Sequence, residues 1–121
     1  MKTGMALLQE IQHTAPPEAG MAFWWMGQMG YAVRVGNSTL FLDLYLSDSP
    51  KRTIAPICHV EEICFAGYFF GTHDHSDHID RPTWPILAKA SPKAKFVVPQ
   101  ALAHRLSEEL HIPLERFLPI S

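Results

Sequence analysis

The run Phe65-Ala66-Gly67-Tyr68-Phe69-Phe70 constrains this chain more than any other stretch. It is apolar without alternation, so it reads as a strand near residues 66–71 buried on both faces. Such a strand needs cover above and below, which demands a layered fold. The run stops at Gly71-Thr72, and His73-Asp74-His75-Ser76-Asp77-His78-Ile79-Asp80 follows at once. A buried strand therefore leads straight into a loop that carries three of the seven histidines.

The flanking segments supply the layers. Residues 4–13 read as a short amphipathic helix with Leu7, Leu8 and Ile11 on one face, stopped by Pro16-Pro17. Strands are predicted near 22–26, 31–35 and 39–43. Gly27-Gln28-Met29-Gly30 and Gly36-Asn37 turn the chain between them, giving an antiparallel meander. Leu44 to Ile63 reads as loop, with a turn signal at Ser47-Asp48-Ser49-Pro50. Downstream, Trp84 to Ala90 reads as a helix capped by Thr83, and Lys95 to Val98 as a strand. Gln100 to His111 reads as a helix facing inward through Ala101, Leu102, Leu106 and Leu110. Phe117-Leu118-Pro119-Ile120 looks like the start of a further element. Strands followed by strand–helix–strand–helix predict an α/β fold: a mixed sheet with helices on its outer face. At 121 residues the whole chain, 1–121, is the length of a single domain.

Composition narrows the function classes. Apolar residues make up 47%, enough for a core, and a net charge of −2 argues against a nucleic-acid partner. The apolar run Met5 to Leu8 ends at Gln9-Glu10, short of a secretory core of about 7–15 residues. No run approaches the roughly 18–20 residues that span a bilayer. Two cysteines, Cys58 and Cys64, make no disulfide framework. A cytoplasmic protein without a membrane partner is expected.

The histidine loop carries the chemistry. Imidazoles and carboxylates are the usual ligands of borderline and hard divalent ions. His73 and His75 stand one residue apart, a spacing that sends both rings to the same side of an extended segment. Asp77 and His78 come one turn later and can reach a second point nearby. A loop at the C-terminal end of a strand is also where open α/β sheets place ligands. A polar surface loop is the other reading of clustered histidines. Three imidazoles with carboxylates at this spacing, directly after a buried strand, favour a metal.

His73-x-His75-x-Asp77-His78 resembles the signature of the metallo-β-lactamase fold superfamily. Trp25-x-Gly27-Gln28-x-Gly30, Leu42-Asp43-x-Tyr45-Leu46-Ser47-Asp48-Ser49, Gly71 to Asp80, and Lys89-Ala90-Ser91-Pro92-x-Ala94-x-Phe96-Val97-Val98-Pro99 are similar to its L-ascorbate-6-phosphate lactonase branch. The resemblance implies that His73 and His75 bind one metal and that Asp77 and His78 bind a second. The ions would be Zn²⁺ or Mn²⁺, with Asp77 also steering the attacking water. It implies a hydrolase that opens a small-molecule substrate, a sugar-acid lactone or phosphate ester. A nuclease of the same superfamily is the enzymatic rival. Asp43 would support the histidine loop from behind the ligands; a strand-end turn carboxylate is its other reading.

The same resemblance implies a four-layer αββα sandwich of two similar halves, with a further His, a bridging Asp and a last His from the second half. His104 and His111 fall on a predicted outer helix and read as surface residues. The chain is thus expected to match the N-terminal half of such a sandwich, with helices on one face of its sheet. Its other face would be apolar and open to pairing, so a homo-oligomer is expected. A catalytically incomplete metal-binding or self-associating fragment is the non-enzymatic alternative. Cys58-His59 and Cys64 fit no zinc spacing and read as buried thiols beside a loop histidine. Phe23, Trp24, Trp25 and Tyr31 read as core and inter-sheet packing, and Lys89, Lys93, Lys95 and Arg105 as a solvated helix face.

Overall fold

A computed structural model describes residues 2–48, 52 and 54–121. Ser49 and Pro50, part of the expected loop turn, lie outside the described residues. Six strands form one mixed sheet in chain order: β1 (Ala22–Trp25), β2 (Tyr31–Val35), β3 (Ser38–Leu42), β4 (Tyr68–Phe70), β5 (Lys95–Pro99) and β6 (Phe117–Ile120). β1, β2 and β3 pair antiparallel, as tight turns require, while β3 to β6 pair parallel. The helices are α1 (Gly4–His13), α2 (Trp84–Ala90) and α3 (Gln100–Leu110). No helix among the described residues is long and apolar enough to cross a membrane.

One row of register partners makes the core. Trp24, Ala32, Phe41, Phe69, Phe96 and Phe117 lie side by side across all six strands. Phe41 and Phe69 stack at 5.5 Å between ring centroids, and Phe69 and Phe96 at 5.4 Å. Leu7, Leu8 and Ile11 of α1, Trp84 and Leu87 of α2, and Ala103, Leu106 and Leu110 of α3 bury into the same cluster. All three helices therefore cover one face of the sheet. Each fully buried ring contributes about 1.5–3 kcal/mol, so this row is where the fold is anchored.

The opposite face carries no helix and is open toward its edges, although Val97 in its middle is buried. Trp25, Tyr31, Leu42, Phe70, Val97 and Leu118 form its central row. Phe23 is 66% exposed, Ile120 54%, and Trp25, Tyr31 and Leu118 about 40%. The apolar run is consequently buried on its Phe69 side, while Tyr68 and Phe70 are half-buried. Run composition cannot separate a strand covered twice from one whose second face is apolar but bare. Phe23, Trp25 and Tyr31 likewise belong to this open face rather than to a core.

Local details depart from the sequence reading for identifiable reasons. β4 is shorter than 66–71, although the Gly67 amide still donates to Thr39 O at 2.9 Å. The Thr83 hydroxyl donates to Asp80 O at 3.0 Å and makes no cap bond to α2. α3 turns Ala103 inward and leaves Ala101 exposed, and His111 ends it in the left-handed conformation. His104 and His111 are exposed. Cys58 is buried but Cys64 is exposed. Lys95 lies on β5 with Nζ donating to Glu115 O, so the lysines share no helix face. Phe117 to Ile120, with no pattern beyond its apolar residues, completes the sheet as β6.

Candidate metal centre

Strand direction gathers the candidate residues at one sheet edge. The C-terminal ends of β1, β3 and β4 and the start of β2 meet there, because Trp25, Tyr31, Leu42 and Phe70 are register partners. The ladder runs past the strand ends: the Asp43 amide donates to Phe70 O and the Gly71 amide to Val97 O, each at 2.9 Å. Asp43 is thereby set beside Thr72, at the root of the histidine loop. Asp43 has φ +48°, a region that Asp and Asn tolerate better than other side-chain-bearing residues. Gly30 of the β1–β2 turn packs against it so closely that an added Cβ would lie 3.0 Å from Asp43 O.

The loop is a tight turn, not the extended segment expected from the spacing. The His75 amide donates to His73 O at 2.9 Å, and the His78 and Ile79 amides both donate to His75 O, at 2.9 and 2.8 Å. The turn still leaves the rings together. Ring centroids are 4.8 Å apart for His73 and His75, 3.7 Å for His73 and His78, and 6.3 Å for His75 and His78. Asp77 Oδ2 stands 3.7 Å from His78 Nε2. His73 and His75 are exposed, while His78 is half-buried.

Asp43 organises two of these rings. Its Oδ1 accepts from the Thr72 amide at 2.9 Å, and its Oδ2 from the Thr72 hydroxyl at 2.8 Å. That hydroxyl also lies 3.0 Å from His73 Nδ1. A hydroxyl has one proton to give. Since it goes to the carboxylate, the hydroxyl oxygen is left to accept from Nδ1–H, which assigns the tautomer of neutral His73 and turns the lone pair of Nε2 outward. His78 Nδ1 is 3.1 Å from Asp43 Oδ2, but the alignment is not that of a hydrogen bond, and the buried nitrogen has no hydrogen-bond partner among the described residues. The contact is therefore one of proximity.

The donor chemistry suits a divalent ion: three neighbouring imidazoles, a carboxylate beside one of them, and a buried imidazole nitrogen without a partner. Among the described residues, however, no three His, Cys, Asp or Glu side chains close on a common point. The rings are neighbours, not a finished coordination shell.

Three supporting residues had no role in the sequence reading. Asp80, 1% exposed, accepts from the Leu46 and Ser47 amides at 2.8 and 3.0 Å and from the Ser47 hydroxyl at 2.5 Å, tying the segment after β3 to the end of the histidine loop. Asp74, between the two outer histidines, bonds Arg81 and Arg105, and the Arg81 guanidinium holds its carboxyl below the usual range. Thr72 is the third. Its position directly before the first histidine was the available signal; the partners of Asp74 and Asp80 lie too far along the chain for spacing to reveal them. Comparison of the sequence with models of known protein families and with curated proteins finds no match.

Proposed function

We propose that the chain is a metal-dependent hydrolase of the metallo-β-lactamase kind, acting on a lactone or related ester. The observation that carries the reading is the gathering of the His73, His75 and His78 rings at the C-terminal sheet edge, with Asp43 beneath them. In this reading His73 and His75 hold one Zn²⁺ or Mn²⁺, and Asp77 and His78 hold another. A bound divalent ion supplies a hydroxide at neutral pH and polarises the substrate's carbonyl or phosphoryl oxygen. Asp43 and Thr72 would hold His73 with Nε2 free for the ion, and Asp77 would also steer the attacking water.

The αββα sandwich and the lactonase specificity belong to the same proposal, supported by the motifs from Trp25 to Pro99. The helix-free row Trp25, Tyr31, Leu42, Phe70, Val97 and Leu118, exposed at Trp25, Tyr31 and Leu118, favours a second reading. Here the chain is catalytically incomplete alone and associates through that face, with a second copy of itself as the occupant. With about two protein ligands per ion, where catalytic zinc normally has about three, affinity would then be weak.

Calorimetric titration of Zn²⁺ and Mn²⁺, with turnover of a sugar-acid lactone and sedimentation equilibrium, tests both readings. Saturable binding and turnover, lost in His75→Ala and Asp77→Ala, supports the hydrolase. Weak binding with dimers and no turnover supports the fragment. No binding of either ion removes the metal reading altogether.

A further inference from the structure

Beside the histidine loop, Arg105, Asp74, Arg81 and Glu109 join in a chain of ion pairs that the backbone of α3 closes into a ring. Asp74 Oδ1 meets Arg81 Nη2 at 2.5 Å, and Asp74 Oδ2 meets Arg105 Nη2 at 2.5 Å. Arg81 Nε in turn donates to Glu109 Oε1 at 2.9 Å. Arg105 and Glu109 stand four residues apart on α3, so one helical turn closes the circuit. Asp74 sits between His73 and His75, and Arg81 follows the loop's last residue. Both ends of the loop are therefore fastened to the same helix turn.

We propose that this ring positions His73 and His75 for the divalent ion, and that Asp74, Arg81, Arg105 and Glu109 are positioning residues for metal binding. The inference rests on the metal reading above. An isolated exposed pair would hold little, since pairing two mobile side chains in water gains about 0–1 kcal/mol. Here one carboxylate is held at both oxygens and one arginine at two of its nitrogens, so each contact is made between groups already restrained by another. Without the ring, Asp43 fixes the loop's start at Thr72 and the buried Ile79 and Asp80 fix its end, while the exposed stretch from His73 to Ser76 rests on the turn bonds to His73 O and His75 O. The ring's arginines are also half-buried or exposed, with side chains 26% and 57% accessible, so salt reaches them. Metal affinity should accordingly fall as ionic strength rises.

The test uses the whole chain and four variants: Asp74→Asn, Arg105→Gln, Asp74→Glu and, as a control on the same helix outside the ring, Glu108→Gln. Amide exchange at His78 and Ile79 is measured without metal. Zn²⁺ affinity is measured by chelator competition at about 0.02 M and about 1 M salt. The Co²⁺ absorption spectrum reports ligand geometry. Asp74→Asn and Arg105→Gln are expected to speed exchange about tenfold and to weaken Zn²⁺ binding about tenfold at low salt, the lower end of what second-layer partners of ligands contribute. They should also abolish most of the wild-type salt dependence and alter the Co²⁺ bands. Asp74→Glu should recover the bands in part, and Glu108→Gln should resemble wild type. Unchanged exchange and affinity in Asp74→Asn overturns the proposal, as does faster exchange with unchanged Zn²⁺ affinity. Wild type that binds no Zn²⁺, Mn²⁺ or Co²⁺, with exchange still faster in the variants, overturns the metal reading and upholds the ring as the device that holds the loop.

Discussion

The Ile79 side chain occupies the place where a Cβ on Gly71 would lie. Gly71 precedes the histidine loop and Ile79 closes it, so the two residues pin the loop's ends together over Trp84 in the core. Gly71 is thus required for its lack of a side chain and not for an unusual backbone angle. Gly71→Ala should cost about 1–3 kcal/mol through overpacking. Ile79→Ala alone should cost about 2–5 kcal/mol as a cavity. The double variant should cost less than the sum, because removing the isoleucine makes room for the new methyl. Urea unfolding of the three variants measures this, and strict additivity would show that the contact does not matter.

Asp80 is nearly inaccessible, yet three donors converge on it. Asp80→Ala should destabilise the chain by about 3 kcal/mol, since the Leu46 and Ser47 amides lose their acceptor where water cannot replace it. Asp80→Asn, which retains one acceptor oxygen, should lose less. Thermal unfolding orders the two; equal losses would point to charge, not hydrogen bonding, as the reason for the carboxylate.

Glu10 ties α1 to the sheet, with Oε1 accepting from Lys2 Nζ at 2.6 Å and Oε2 from Trp24 Nε1 at 2.7 Å. Lys2 first, then Trp24, lowers its carboxyl below the ordinary value. A lowered native pKa favours the folded state above the ordinary carboxyl range, near pH 4.3, and that advantage is lost as pH falls through the native value. Wild type should therefore exceed Glu10→Gln in stability at about pH 6, and the gap should close toward about pH 3. Tryptophan fluorescence during unfolding at several pH values provides the readout.

The cysteines should differ sharply in reactivity. Burial, with a smaller contribution from Glu62, pushes the Cys58 thiol up to about 12, whereas Cys64 is exposed. Thiolate is the reactive form. A thiol reagent at about pH 8 should modify one cysteine in the folded chain and both in denaturant. Rapid modification of both in the native state would show that the segment around Cys58 opens readily.

Local pattern was enough to reveal the meander, the three helices and the loop that carries the histidines. Alternation, turn glycines and helix-stopping prolines act over a few residues, and a sequence displays them directly. The family resemblance implied Asp43 beneath the histidine loop, but its pairing with Thr72 was not legible, because it depends on β3 and β4 pairing in parallel across a long connection. Tertiary structure alone decided the rest. It made Phe117 to Ile120 a strand by offering the β5 edge, left Tyr68 and Phe70 half-open by covering one sheet face, and turned the histidine loop instead of extending it. It also brought Arg105 and Glu109 of α3 to Asp74 and Arg81. Those outcomes depend on which distant groups meet and which faces find cover, and packing settles both only after the local elements exist.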